Sequence, residues 1–282
     1  MATPPIVLTT DFGLADPYAG VMKGVVLSIN PAVRLIDLTH LIQPQNIRQG
    51  SFVLAASHRF FPPNSIHVAV VDPGVGTDRM AILVVTPDAS FLAPDNGLLS
   101  GVLNDYLDAA PPNAERISFP PNVTAYHLTN SDYWLHPVSN TFHGRDIFAP
   151  VAAHLSMGVR PDELGQPLQD LAWLPSPAPS QEADSLIGEV VYADHYGNLV
   201  TNIPARGLGD GADITVVIKG RKIFGLSRTF QSTGHDNEDG LLALDGSLGY
   251  LEIAVQDGSA ALLLHAEAGE KVQVSQARAQ QG

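Results

Sequence analysis

A short β-branched run, Ile6 to Thr9, ends at Thr10-Asp11-Phe12-Gly13, and Val21, Met22, Val25, Val26 and Ile29 then recur at helical spacing. Asp16-Pro17 reads as an N-cap followed by proline at the first helical position, and Asn30-Pro31 stops the helix. A second apolar run, Val33 to Leu38, follows. Strand, helix and strand in so short a span form a βαβ unit, whose crossover makes the two strands parallel. The N-terminal part is therefore expected to be an α/β fold on a mostly parallel sheet.

The alternation continues downstream. Residues 46 to 61 suit a helix, Ile66 to Val71 and Ala81 to Val85 suit buried strands, and Phe91 to Ala93 a short one. Helices are expected around Leu98 to Leu103 and from Asp146 to Met157, where Pro150 disturbs the start. Residues 1–175 read as one α/β domain. The Pro/Ser-rich stretch 174–185 reads as a linker. Beyond it, residues 186–282 offer short strands at Ile187 to Tyr192, Ile214 to Ile218, Tyr250 to Val255 and Ala261 to His265, separated by Gly and Asp turns and with no convincing helix. A smaller all-β, barrel-like domain is expected there. A length of 282 residues suits two such domains.

Charge narrows the partners. With 15 Lys plus Arg against 29 Asp plus Glu, the net charge is −14, which repels phosphate backbones and anionic lipid. No nucleic-acid or membrane role is expected. The absence of cysteine removes thiolate metal sites, iron–sulfur clusters and cysteine nucleophiles. The first residues carry no basic cluster and no long apolar run, so the expectation is a soluble cytoplasmic protein.

Polar residues collect where strands end: Asp11, Asp37 with His40, Asp72, and Asp95-Asn96. Strand C-termini line the crevice of a parallel sheet, so these acids are site candidates, although Asp and Asn at such places are also turn formers. The loop Asp72-Pro73-Gly74-Val75-Gly76-Thr77-Asp78-Arg79 is Gly-rich but lacks the Lys-Ser/Thr ending and the following helix of a phosphate cradle. A charge-paired Asp72 and Arg79 beside a small ligand is the alternative. His143 lies in Asn140-Thr141-Phe142-His143-Gly144-Arg145-Asp146, close to a helix start with charged neighbours. A metal set of His143, His40, Asp37 and Asp72 is conceivable, but no HxH or HExxH spacing supports it, and no metal is expected. In the second domain, Asp194, Tyr196 and Asn198 share a hairpin in which Tyr196 could stack on a flat base and Asn198 read its edge. An ordinary turn fits that segment equally well.

Six segments in order, TTDFGLADPYAGVMKG, VDPGVGTDR, APDNGLLS, TFHGRDIFAP, DHYGNLVTN and DGSLGYLEIAVQDGSA, closely resemble the S-adenosylmethionine hydroxide adenosyltransferases, adenosine-forming hydrolases related to fluorinating and chlorinating adenosyl enzymes. The resemblance implies a homotrimer with sites at subunit interfaces, and a reaction of S-adenosylmethionine with water to adenosine and L-methionine without metal or cofactor. It implies Asp72, Arg79 and His143 as the catalytic set. It also implies Asp11 on the ribose diol, Asp194 on the methionine amino group, Asn198 on adenine, Ser247 near the methionine end and backbone at Val255 near the base. Asp16, Asn96, Phe142 and Tyr196 complete the substrate-binding candidates.

Departures from the halogenating relatives bear on the nucleophile. They carry tyrosine where this chain has Asp72, a halide-contacting serine where it has Gly144, and an extra loop where five residues join Ala81–Val85 to Phe91–Ala93. A carboxylate repels a halide and accepts a hydrogen bond from water. Leu248 stands where those relatives hold the methionine carboxylate with arginine. A halogenase, a non-catalytic S-adenosylmethionine-binding protein and a metal-dependent phosphohydrolase are the competing classes.

Overall fold

Five buried residues, Ile6–Thr10 (β1), lie between Leu35–Thr39 (β2) and Ser65–Val70 (β3), parallel to both. The computed structural model describes residues 3–108, 111, 113–175, 178–208, 213–231 and 237–276. The chain divides into two compact units, Met1–Ser176 and Pro177–Gly282.

In the first unit, β3 pairs parallel with Ala89–Pro94 (β5), and Ala81–Val85 (β4) forms an antiparallel hairpin with β5. With Arg116–Ser118 (β6), Thr124–His127 (β7), Gln166–Pro167 (β8) and Asp170–Ala172 (β9) added in chain order, the main sheet runs β2-β1-β3-β5-β4-β7-β8, while β6 and β9 form a separate pair. The sheet is thus parallel through its first four strands and antiparallel beyond them. The sequence did not reveal the four short strands β6 to β9, because segments of two to four residues show no periodicity.

Alternation along the strands sends Leu8, Val68, Val70, Leu83 and Leu92 to one face and Ala69, Val71, Ile82, Phe91 and Ala93 to the other. Tyr18–Ile29 (α1) and Ala149–Ser156 (α4) cover the first face. Ile47–Ser57 (α2) and Ser100–Asn104 (α3) cover the second. Of the apolar residues expected on its inner face, helix α1 buries Met22 and Val26, joined by Ala19, while Val25 and Ile29 are half-buried and Val21 is exposed. Its N-cap is Pro17 rather than Asp16, and no side chain caps it. Asp16 stays exposed in the preceding loop. Helix α4 starts later than the sequence suggested. Gly144–Phe148 form one π-helical turn before it, and Pro150 occupies its first turn. Pro150 has no N–H to offer the Asp146 carbonyl, which accepts instead from Leu135 N at 2.8 Å.

The second unit is an antiparallel, nearly closed sheet. Ser180–Glu182 (β10), Ser185–Ala193 (β11), Leu199–Pro204 (β12), Ile214–Ile218 (β13), Arg221–Phe224 (β14), Leu241–Asp245 (β15), Tyr250–Val255 (β16) and Lys271–Gln276 (β17) run in the order β14-β13-β17-β11-β12-β16-β15, with β10 on β11. A bridge between Ser227 and Leu244 brings the two ends together. Within the Pro/Ser-rich stretch 174–185, residues 176 and 177 lie outside the described residues, and β10 occupies three of the remainder. The expected strand at Ala261 to His265 is instead a short helix, Ala260–Leu264. Ser259 Oγ caps it by accepting from Leu262 N, and His265 ends it in the left-handed region at φ 48. Its Ala260 and Leu264 join Val190, Ile203, Ile253 and Val272 in the barrel core. No helix among the described residues is long and apolar enough to cross a membrane.

Candidate active site

Because β2, β1, β3 and β5 are parallel neighbours, their C-terminal ends bring Asp37 with His40, Asp11, Asp72 and Asp95 with Asn96 to one sheet edge. These residues divide between carrying the site and supporting it.

Asp72 and Arg79 form the tightest pair. Arg79 Nε donates to both Asp72 oxygens at 3.0 Å, and Arg79 Nη2 donates to Oδ2 at 2.5 Å. The side chains are 5% and 9% exposed, so this is a desolvated, bidentate ion pair. The second Nη2 hydrogen goes to His143 Nδ1 at 2.7 Å. A guanidinium only donates, so Nδ1 must offer its lone pair, and a neutral His143 carries its hydrogen on Nε2. Burial, then the Arg79 charge, hold the His143 pKa below its ordinary 6.5. The Arg79 guanidinium also sits 5.6 Å above the Phe148 ring.

Glycine explains how two distant loops meet here. Gly76 has φ +79, and a Cβ there would overlap the Asn140 carbonyl. The Gly-rich loop thus lets 72–79 lie against 140–143, and it leads into strand β4 with no helix to cradle phosphate. Beneath Asp72, Asn96 Nδ2 donates to the Val71 carbonyl at 2.9 Å while its Oδ1 accepts from Leu98 N. Asn96 is therefore engaged with the backbone under the site. Asp95 is tied to Arg116 and to Ala172 N.

Asp11 Oδ2 accepts from Gln45 N at 2.7 Å. Burial raises its pKa, the Gln45 and Asp11 backbone N–H groups oppose this, and the nearby Asp72 charge raises it further. A relay steadies the same turn. Phe12 N donates to Thr10 Oγ1, Thr10 Oγ1 lies 2.8 Å from His40 Nδ1, and His40 Nε2 lies 3.0 Å from Asp37 Oδ1. His40 and Asp37 thus pair with each other and His143 with a cation, so His143, His40, Asp37 and Asp72 do not assemble as ligands. No group of three or more His, Asp or Glu among the described residues is arranged to hold a metal ion.

Phe142 joins Phe12 and Tyr18 in a cluster with centroids 5.2 to 5.8 Å apart. Gly144 fits tightly beside it, since a Cβ would lie 3.2 Å from both Met22 Sδ and Phe142 Cε2. Two residues not nominated from the sequence support this loop. Asp146, fully buried, accepts from Ser139 N and pairs with Arg145, whose guanidinium lies 5.3 Å over Phe142. The adjacent Arg145-Asp146 charges were the available signal.

On the C-terminal unit, Asp194 organises the β11–β12 turn. Its Oδ1 accepts from Tyr196 N and Asn198 N, and its Oδ2 from Asn198 Nδ2, each at 2.9 Å. Asn198 is buried with one amide hydrogen committed, whereas Tyr196 is 77% exposed. Ser247 is exposed on the turn between β15 and β16, and Val255 ends β16 half-buried.

Residues 6–165 match the SAM hydroxide adenosyltransferase N-terminal domain, and residues 188–273 match the C-terminal domain of the same name. A Salinispora arenicola protein named (R)-S-adenosyl-L-methionine hydrolase is 38% identical over 277 residues, spanning 97% of this chain and 98% of that one. A Thermus thermophilus protein of the same name is 36% identical over 272 residues, spanning 96% and 99%. A Nocardia brasiliensis fluorinase is 27% identical over 307 aligned positions, spanning 96% of each. Among solved structures, an uncharacterized conserved protein from Thermotoga maritima superposes with a TM-score of 0.84 at 36% identity, covering 96% of this chain and all of that one.

Proposed function

The chain belongs to the SAM hydroxide adenosyltransferase family, and from that premise we propose that it cleaves S-adenosyl-L-methionine with water to adenosine and L-methionine. The observation that carries the chemistry is the Asp72–Arg79–His143 arrangement. Water attacks the ribose 5′ carbon in line with the departing sulfur. Methionine leaves as a neutral thioether, so no general acid is needed, and the remaining task is to position and deprotonate one water. Arg79 has no acceptor atom, and neutral His143 has Nδ1 occupied and a hydrogen on Nε2. Asp72 Oδ1, which accepts one arginine hydrogen, keeps a lone pair for the water and receives its proton. His143 Nε2–H is left as a donor that orients.

Asp11 fits the ribose diol, because its Oδ1 is left for a hydroxyl while Oδ2 holds Gln45 N. Phe142 lends apolar surface beside it, and Asp16 and Asn96 lie on the flanking loops. Asp194, Tyr196, Asn198, Ser247 and Val255 are the proposed substrate contacts on the C-terminal unit, with the Asn198 side-chain Oδ1 left for a base edge while its Nδ2 holds Asp194. The reaction asks for no metal and no cofactor. A homotrimer with sites at subunit interfaces is part of the same proposal, and the mass in solution tests it. Use of an intracellular substrate supports a cytoplasmic setting.

Halogenation is disfavoured by the same geometry. Serine at Gly144 would press on Met22 and Phe142, and β4 joins β5 through a three-residue turn held by Thr86 Oγ1. The fluorinase alignment is longer than this 282-residue chain, so that relative carries segments without counterpart here. Incubation with S-adenosylmethionine with and without chloride, followed by chromatography, tests the reading. Adenosine alone supports hydrolysis, 5′-chloro-5′-deoxyadenosine supports the halogenase, and neither product supports a binding protein.

A further inference from the structure

The turn that carries Asp11 is stapled to the segment 40–45 through its backbone. Gly13 N donates to the His40 carbonyl at 2.7 Å, and Ile42 N to the Thr10 carbonyl at 3.3 Å. Gln45 N donates to Asp11 Oδ2 at 2.7 Å. Gln45 does so from the left-handed region, at φ 64, where a residue with a Cβ is strained. Strain of that kind persists only where the surroundings impose it. Here it turns one N–H onto the acid that faces the ribose.

The His40 side chain locks the same two segments from behind. Its ring is 2% exposed, so it has no face left for a ligand. Nδ1 lies 2.8 Å from Thr10 Oγ1, and Nε2 lies 3.0 Å from Asp37 Oδ1 without the alignment of a full hydrogen bond. A carboxylate offers only lone pairs, so the Nε2 beside it carries a hydrogen, and a neutral ring presents its Nδ1 lone pair to Thr10. The buried Thr10 hydroxyl then donates to Nδ1 and turns a lone pair of its own to Phe12 N at 3.2 Å. Asp37 is fixed in turn by Lys23 Nζ at 2.5 Å. The relay therefore begins on helix α1, crosses His40, and ends on the peptide that joins Asp11 to Phe12.

We propose that His40 is a positioning residue, which through Thr10 fixes the Asp11–Phe12 peptide so that the Asp11 carboxylate meets the ribose diol, and so sets the preference for a nucleoside that carries the diol. This rests on Asp11 being the ribose contact of the hydrolase. Hydrogen bonds to a carboxylate are short and directional, so an acid freed to rotate loses part of that contact. The pairing of Asp37 with His40 thus has a role other than metal binding.

Adenosine and 2′,3′-dideoxyadenosine share the base and differ in the diol, so isothermal titration of the full-length protein with each isolates the effect without turnover. His40→Leu and the shape-conserving Thr10→Val should each bind adenosine roughly 10-fold more weakly than the wild type, the worth of one hydrogen bond to a charged group. Both should bind dideoxyadenosine within about twofold of the wild type, inside the scatter of near-neutral contacts. His40→Asn, whose Oδ1 takes the place of the Nδ1 lone pair, should recover most of the loss. Where His40→Leu does not fold, Thr10→Val decides. Equal weakening of both nucleosides would mark a merely structural role and overturn the proposal, as would weakening of neither or no recovery in His40→Asn. A wild type that binds the two nucleosides equally would overturn it together with the Asp11 assignment. Failure of the hydrolase reading appears instead in the product assay, which these binding measurements do not involve.

Discussion

Arg79 Nη2 lies 2.7 Å from His143 Nδ1, and the same nitrogen binds Asp72 Oδ2. One guanidinium therefore fixes the orientation of an acid and the tautomer of an imidazole together. Burial and the Arg79 charge hold the His143 pKa below 6.5, so the ring is neutral at pH 7. Protonation at Nδ1 would replace an acceptor with a second donor and expel the arginine. kcat/KM should stay level as pH falls through the ordinary imidazole range and drop only below it. Asp11, raised by burial, titrates in the same direction. Assignment therefore needs His143→Asn, in which the acid limb should move. A limb at or above 6.5, or one unchanged in that variant, contradicts the tautomer assignment.

Asp72→Asn should lower kcat by about 10²–10⁴-fold, the range of a positioned general base, with KM little changed. Steady-state kinetics on the purified variant decide this. Turnover like that of the wild type would remove Asp72 from the chemistry.

Arg79→Ala leaves the nearly buried Asp72 without its partner, at an expected cost of about 3–5 kcal/mol in stability. Arg79→Lys keeps a charge but has one nitrogen where two are used, so it should recover stability better than turnover. Urea denaturation alongside rate measurements separates the two effects. A loss below about 1 kcal/mol for the alanine variant would mean the pair is solvated and dispensable.

Gly76→Ala should impair turnover by forcing loops 72–79 and 140–143 apart, because the new Cβ overlaps the Asn140 carbonyl at φ +79. The backbone penalty alone is about 1–2 kcal/mol. Gly74→Ala serves as control, since its Cβ would meet nothing closer than 3.4 Å. Equal kinetics for the two variants would show that loop contact does not hold the catalytic set.

His67 is fully buried, stacks on Phe91 at 5.0 Å, and has neither ring nitrogen hydrogen-bonded among the described residues. Burial lowers its pKa from 6.5 to about 3, with the His58 charge adding to the shift. Between those values the unfolded chain binds a proton that the folded chain refuses, so stability falls as pH drops from 6.5 toward 3. His67→Phe should raise stability by about 1–3 kcal/mol at neutral pH and flatten that acid slope. Chemical denaturation across the pH range measures both. An unchanged slope would mean that other groups carry the acid sensitivity.

Legibility followed the length scale of each signal. The βαβ start, the buried strands and the strand-end acids could be read because periodicity and parallel topology act over ten residues or more. Short strands such as Arg116–Ser118 and Gln166–Pro167 carry no period and emerge only from pairing. Ala261 to His265 misled because a run of four leucines and alanines suits strand and helix alike, and Ser259 as N-cap decided it. Asp72 and Arg79 were legible as a charged pair in one loop. That Arg79 also engages His143, 64 residues away, depends on Gly76 and Asn140 meeting, which spacing cannot reveal.

The central claim is that water held by Asp72 becomes the 5′ hydroxyl of adenosine. Turnover of S-adenosylmethionine in heavy-oxygen water, in the presence of chloride, tests it by mass spectrometry of the products. The account predicts adenosine carrying one heavy oxygen at its 5′ position, unlabelled methionine and no chlorinated nucleoside. Unlabelled adenosine, or 5′-chloro-5′-deoxyadenosine in its place, would contradict it.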